Sequence, residues 1–235
     1  MKGPKGSGTL RLYSELRERI LNLELTPGDL LEEAVIERAL GASRTLVREA
    51  LIRLTAEGLV EQSPNRGARV APIAVTALPQ YFEALDLVQR AITRWAALRR
   101  TPAQIQAIVR ARDGFEQAVV AGTTGAMNSA NTSFHDAVAA ASGNIYFERQ
   151  YRLLLAEGVR LARLTLIYAA PDGSLPQDHL ARIMADHRSM TDAIGAGDAD
   201  GAEALAAGHA VLFRSRVDSY LAQNLASAVA VTWAA

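Results

Sequence analysis

Residues 42–54 have the sequence ASRTLVREALIRL, which predicts a helix with one apolar and one basic face. The apolar side chains recur at helical spacing and form one stripe, made of Val47, Ala50, Leu51 and Leu54. Arg44 and Arg48 lie four residues apart on the other side, so both guanidinium groups project from the start of the helix in one direction. This is the form of a recognition helix, whose first residues meet base edges in the major groove.

The surroundings of this helix favour that interpretation over a solvated surface helix, which an isolated Arg-x-x-x-Arg pair more often indicates. Ser43 is suited to cap the helix through its hydroxyl, and Gly41 is suited to end the preceding helix. The flanking sequence predicts a helix around 13–21, a turn at 26–29, a short helix over 31–40, a strand over 58–62, a turn at 63–67 and a strand over 68–72. Three helices followed by a hairpin predict a winged helix-turn-helix.

Residues 10–72 resemble the DNA-binding domain of the GntR family of bacterial transcription regulators. The resemblance lies in LTPG at 25–28, LGASRTLVREAL at 40–51, EGLV at 57–60 and RGARV at 66–70, with Leu46 where the family usually has proline. It implies that Arg44, Thr45 and Arg48 contact DNA and that the wing tip around Gly67 approaches the minor groove. Glycine also suits a turn there that needs a positive φ. The predicted DNA-binding residues are Ser43, Arg44, Thr45, Arg48, Arg53, Arg66, Gly67 and Arg69.

The charge of the chain is balanced, with 25 basic and 25 acidic residues. Residues 1–73 carry 11 basic and 10 acidic residues, so the positive field is confined to the recognition helix and the wing. We therefore expect few phosphate contacts per subunit, and a homodimer that binds double-stranded operator DNA.

Composition narrows the class of protein further. There is no apolar run of about 20 residues that could cross a membrane, and there is no cysteine for a disulfide or a thiolate. Residues 1–8 lack the apolar segment of a secretion signal and predict a flexible tail. We expect a cytoplasmic protein without a membrane partner.

Beyond Pro72 the sequence predicts an all-α domain. Helical apolar periodicity runs through 78–98, 105–120, 134–141, 145–167, 180–194 and 202–225. The breaks between these segments fall at 101–102, 122–125, 142–144, 171–173 and 195–198. The fold class is therefore mainly α, with a winged helix-turn-helix over 9–73 and a bundle of six or seven helices over 74–235.

Three of the four histidines in the chain can be combined with Asn131 into a metal site. Asn131 and His135 form an i, i+4 pair on one helix face, and His187 and His209 lie on two later helices. Any one of these histidines, taken alone, is more often a packed or surface imidazole, and His179 is assigned to that class.

Residues 78–226 resemble the helical effector domain of the FadR branch of the same family. The resemblance lies in NTSFH at 131–135, ASGN at 141–144, Asp186-His187, AI at 193–194, GD at 197–198 and His209. It implies a divalent metal, zinc or nickel, on three histidines and an aspartate, with Asn131 in place of the aspartate. An amide oxygen can coordinate but brings no charge, so we expect weaker metal binding.

The resemblance also implies a small carboxylate effector. Many members have an arginine and a glutamate on the first helix of this domain, where this chain has Gln89 and Thr93. The candidate effector-binding residues are Gln89, Arg90, Arg94, Arg160 and Arg163.

Three functions remain open from the sequence. The first is a transcription regulator that responds to an organic acid, and the second is a metal sensor in which the cation is the signal. The third is a metalloenzyme fused to a DNA-binding module, which would need a general base near the metal. The chain has no His-Glu-x-x-His motif, and we predict a regulator and not an enzyme.

Overall fold

The structure, a computed structural model, describes residues 7–63, 67–169 and 177–228. The chain divides into two compact units. The first extends to Thr76 and includes the short segment Ala156–Arg160, and the second comprises Ala77–Leu155 and the residues from Leu161 onwards.

The first unit is a winged helix-turn-helix, as the sequence predicts. Its elements are α1 (Ser7–Leu21), β1 (Leu30–Leu31), α2 (Glu33–Leu40), α3 (Arg44–Ala56), β2 (Val60–Ser63) and β3 (Gly67–Val70). The strands form one antiparallel sheet in the order β1-β3-β2. Gly41 ends α2 in the left-handed conformation, with a φ of 60°.

Three details at the helix starts differ from the prediction. Helix α1 begins at Ser7, inside the stretch 1–8 that was predicted as a flexible tail and six residues before the predicted helix. The short helix expected from Leu31 begins at Glu33, because Leu31 instead pairs with Ala68 of the wing and buries its side chain. Ser43 occupies the N-cap position of α3 with an extended backbone, but its side chain makes no capping hydrogen bond. Ser43 is exposed to solvent.

The core of the first unit explains why the basic face of α3 points outwards. The predicted apolar stripe of α3 is buried and packs with Leu16 and Ile20 of α1 in one hydrophobic cluster. At the far end of α3, Glu57 accepts hydrogen bonds from Tyr13 and from Nε of Arg17, the latter at 2.8 Å. Burial of one face therefore fixes the orientation of the other.

Six helices of the described residues belong to the second unit, apart from the segment Ala156–Arg160 of α7. They are α4 (Leu78–Arg99), α5 (Pro102–Ala121), α6 (Thr124–Ala141), α7 (Ile145–Ala169), α8 (Gln177–Ala196) and α9 (Ala199–Ala228). The predicted breaks separate these helices, except that the break at 171–173 lies outside the described residues. Helix α6 begins ten residues before the predicted apolar segment at 134, because 124–133 is helical without an apolar period. Within the described residues, no helix is long and apolar enough to span a membrane.

Helices α4 and α9 pack closely against each other in the second unit. Ala202, Ala206 and Ala210 recur every four residues on α9 and are buried. Their small side chains allow the α9 backbone to approach α4, and Gln89 of α4 reaches the carbonyl oxygen of Ala206 at 2.9 Å.

Candidate functional site

The arginine pair at the start of α3 is exposed and joined by one carboxylate. The side chains of Arg44 and Arg48 are 66% and 57% exposed, and each donates its Nε to Glu33 of α2, at 2.8 and 2.9 Å respectively. Hydrogen bonds from these two arginines hold the pKa of Glu33 below its usual value. Glu33 was not predicted as a site residue from the sequence, because its pairing depends on how α2 packs on α3.

The other predicted DNA-binding residues lie on the same unit. Ser43, Thr45 and Arg53 are exposed along α3. Gly67 has a φ of 79°, the positive value expected at the wing. Arg69 of β3 forms a salt bridge with Glu61 of β2 at 2.8 Å. Arg66 lies outside the described residues.

Three histidines from three helices meet in the interior of the second unit. His135 of α6, His187 of α8 and His209 of α9 each offer a ring nitrogen, and these nitrogens all lie within 4.8 Å of one another. All three residues are buried. Asn131 lies one turn before His135 on α6 and is half-buried.

Two of the three rings are held in the neutral form. Burial, together with the neighbouring His209, sets the pKa of His135 and of His187 well below the usual value. Neutral imidazole is the form that binds a metal ion. In addition, neither ring nitrogen of His187 has a hydrogen-bond partner among the described residues.

The other two histidines each have one nitrogen engaged. Nδ1 of His135 lies 3.0 Å from the hydroxyl of Tyr151, and Nδ1 of His209 lies 3.0 Å from Oδ2 of Asp186. A carboxylate only accepts hydrogen bonds at neutral pH, so Nδ1 of His209 carries its proton. In both rings Nε2 is the nitrogen that makes no hydrogen bond within the described residues.

Most of the predicted effector-binding side chains make contacts with other residues of the protein. Gln89 is buried and hydrogen-bonds Ala206 and Tyr151. Arg90 and Arg94 of α4 both form salt bridges with Glu203 of α9.

The two predicted arginines of α7 lie in different environments. Arg160 is fully buried and donates to Glu157 and to the carbonyl oxygen of Ala71. Arg163 is half-buried. Arginines that are already paired are poorer anchors for a carboxylate than the sequence suggested.

Arg216 is a further candidate that the sequence analysis missed. It follows His209 by seven residues on α9, so both side chains lie on one face of that helix. Its Nε is buried without a partner among the described residues, and Nη2 makes a long hydrogen bond of 3.5 Å to the carbonyl oxygen of Thr165. Burial, and after it the charges of Arg216 and His209, lower the pKa of His179 to about 4, so Arg216 lies near His179.

A winged helix-turn-helix with an exposed arginine pair, followed by a separate helical unit, defines the class of two-domain DNA-binding transcription regulators. Comparison with family models specifies the class. The model of bacterial regulatory proteins of the gntR family matches residues 9–70, and the FCD domain model matches residues 80–211. The chain belongs to the GntR family and carries the FCD domain, its FadR-type effector domain. Relatives and domains of this kind are regulators and not enzymes.

Individual relatives agree with this assignment. The chain is 27% identical to the transcriptional regulator LutR of Bacillus subtilis, with 88% of this chain and 99% of LutR covered. It is 27% identical to the galactonate operon transcriptional repressor of Escherichia coli, with 83% and 90% covered. A match to an HTH-type regulator of Streptomyces ambofaciens reaches 43% identity but covers 32% of this chain and 34% of that protein.

A solved structure shares the fold. That of E. coli McbR/YncC has a TM-score of 0.75 at 19% identity, with 93% of this chain and 99% of that chain covered.

Proposed function

We propose that this regulator reads operator DNA with the arginine pair of α3 and changes its DNA affinity when a small organic acid binds at a divalent metal in the helical unit. The observation that carries the ligand part of the proposal is His187. Both of its ring nitrogens are buried and unpaired among the described residues, between two other histidines. A buried polar atom without a partner costs about 1–3 kcal/mol, which a metal ligand bond would offset.

The donor set fits such an ion. His135, His187 and His209 would hold it through neutral imidazoles, with the amide oxygen of Asn131 as a fourth donor from the same face of α6 as His135. Nitrogen-rich sets of this kind suit zinc or nickel better than magnesium or calcium. Bound there, the cation would supply a positive charge and open coordination positions for a carboxylate oxygen.

The basic side chain of Arg216 supports an acidic effector. It lies on the same face of α9 as His209, and no carboxylate is paired with it among the described residues. A ligand with a carboxylate and a second oxygen function could therefore engage the metal and a guanidinium together. One relative controls a galactonate operon, and galactonate is a hydroxy acid of this class.

We also propose that the protein acts as a homodimer in the cytoplasm, where operator DNA lies. One winged unit with a local positive field reads few base pairs, and two-fold pairing doubles the contacts. Leu87 and Leu98 lie three turns apart on α4 and are 65% and 57% exposed, which offers an apolar face to a second copy. Sedimentation velocity should show a dimer for the wild type. A dimeric Leu87→Glu variant would move the interface away from this face.

The proposal is tested by zinc, acid and DNA titrations on the same preparation. Zinc should raise the melting temperature of the wild type, since it binds only the folded state, and His187→Ala should remove this rise. A panel of hydroxy acids and sugar acids should then alter operator affinity only in the zinc-loaded protein. If zinc alone changes operator affinity and no acid adds to the change, the protein is a metal sensor.

A further inference from the structure

A chain of hydrogen bonds runs from the α9 backbone to the first of the three histidines. Nε2 of Gln89 donates to the carbonyl oxygen of Ala206 at 2.9 Å, and the Tyr151 hydroxyl lies 3.0 Å from Oε1 of Gln89. The same hydroxyl lies 3.0 Å from Nδ1 of His135. Gln89, Tyr151 and His135 are 3%, 1% and 3% exposed, so water has little access to the chain.

The backbone carbonyl fixes the direction of this chain. A carbonyl oxygen only accepts, so the amide of Gln89 must turn its NH₂ group towards Ala206 and its oxygen towards Tyr151. A hydroxyl has one proton, and Tyr151 must use it on that oxygen, which cannot donate. The Tyr151 oxygen is then an acceptor, and Nδ1 of His135 has to be the donor.

We propose that Gln89, acting through Tyr151, holds the proton of His135 on Nδ1 and thereby keeps the lone pair of Nε2 available as a metal ligand. The proposal rests on the metal site proposed above, to which it adds a positioning residue. Asp186 does the same for His209 through a direct hydrogen bond at 3.0 Å. Two of the three histidines are thus set in the same tautomer by different partners.

Replacing Gln89 by leucine should reverse the direction of the hydrogen bond between Tyr151 and His135. Tyr151 would lose the acceptor for its proton and would donate to Nδ1 of His135 instead. The imidazole proton would then move to Nε2, where it blocks the lone pair that faces the other histidines. Zinc affinity should fall about 10- to 100-fold, the usual effect of losing a hydrogen-bond partner of a metal ligand.

The tautomer can be measured without any metal. The chain has four histidines, so selective ¹⁵N labelling of histidine gives few signals in the full-length protein. In metal-free wild type, His135 should show a protonated Nδ1 and an unprotonated Nε2, and Gln89→Leu should exchange the two. An Nε2-protonated His135 in the wild type would overturn the proposal.

A double substitution separates this role from simple packing. Tyr151→Phe added to Gln89→Leu removes the donor that forces the wrong tautomer, so zinc affinity should recover part of its loss. A residue that only filled space would give losses that add. Thr93→Val is the matched control, because Thr93 is buried on the same helix and, within the described residues, its hydroxyl bonds only the backbone of Gln89.

The outcomes distinguish this proposal from the metal site itself. Unchanged zinc affinity in Gln89→Leu, or a further loss in the double variant, overturns the role of Gln89. If wild type binds no zinc while His135 carries its proton on Nδ1 as described, the metal site fails and the hydrogen-bond relay stands.

Discussion

Arg48 donates its Nε to the carboxylate of Glu33 at 2.9 Å, and Arg44 donates to the same carboxylate. The bonds use the Nε atoms, and the terminal amino groups of both arginines make no hydrogen bond within the described residues. Guanine recognition uses paired donors of this kind. The carboxylate of Glu33 offsets one of these two positive charges, so its removal would add one unit of positive charge at the start of α3.

Glu33 should therefore sharpen DNA selection at the expense of affinity. In Glu33→Gln the two arginines lose their carboxylate partner, and the start of α3 gains one unit of positive charge. Affinity for random duplex should rise, the salt dependence of binding should steepen by about one phosphate contact, and the preference for selected sites should fall. Fluorescence anisotropy on a selected and a scrambled duplex over a salt series measures all three. Glu83→Gln, an exposed acid on α4, is the control, and an equal change in both variants would contradict the prediction.

Arg44→Ala and Arg48→Ala should each relax base preference at one position of the half-site. A bidentate contact to guanine is worth about 1–3 kcal/mol of discrimination. Binding-site selection followed by titration on single-base variants gives the loss at each position. Arg38→Ala is the control, since Arg38 is exposed on α2 and donates to the carbonyl oxygen of Ala34 in its own helix. If both α3 variants keep the wild-type preference, α3 does not read bases through these side chains.

Most of the fold was predictable from the sequence because its helices are long and their apolar periods regular. The two-residue strand β1 was not, since Leu30 and Leu31 form no pattern and pair only after β3 is in place. The histidines were recognisable as residue types, but their meeting depends on the packing of α6, α8 and α9. Gln89 was expected to face a ligand. Its bond to the α9 backbone depends on the close approach allowed by alanine at 206, which sequence spacing does not reveal.

The metal-free protein should lose stability as the pH falls below about 6.5. Burial sets the pKa of His135 and His187 well below the unfolded value of about 6.5. Below that pH the unfolded chain takes up protons that the folded protein does not. The free energy of unfolding should then fall by up to about 1.4 kcal/mol per pH unit for each histidine. Melting temperatures between about pH 7 and 5 should show a smaller slope in His187→Leu than in wild type, and equal slopes would contradict the assignment.

Asn131→Asp should tighten zinc binding. The substitution keeps the size of the side chain and adds a negative charge one turn from His135. A carboxylate is a stronger ligand than an amide for a divalent cation, so calorimetry should show a higher affinity and the zinc-induced rise in melting temperature should grow. Asn144→Asp is the control, because Asn144 caps α7, where aspartate is an equally good cap. Equal zinc affinity in Asn131→Asp and wild type would remove Asn131 from the ligand set.

Arg216→Met should weaken the response to organic acids while zinc binding persists. The side chain keeps a similar length, but the guanidinium that would pair with the carboxylate is lost. Charge-assisted bonds of this kind contribute about 1.5–3 kcal/mol, so the affinity for the acid should fall about tenfold or more. Thermal shifts of the zinc-loaded protein against the acid panel measure the loss. Arg90→Met is the matched control, since the Arg90 guanidinium is already paired with Glu203 at 2.7 Å. An Arg216→Met protein that responds like the wild type would show that another group holds the acid, and an Arg90→Met protein that loses the response would place the anchor on α4.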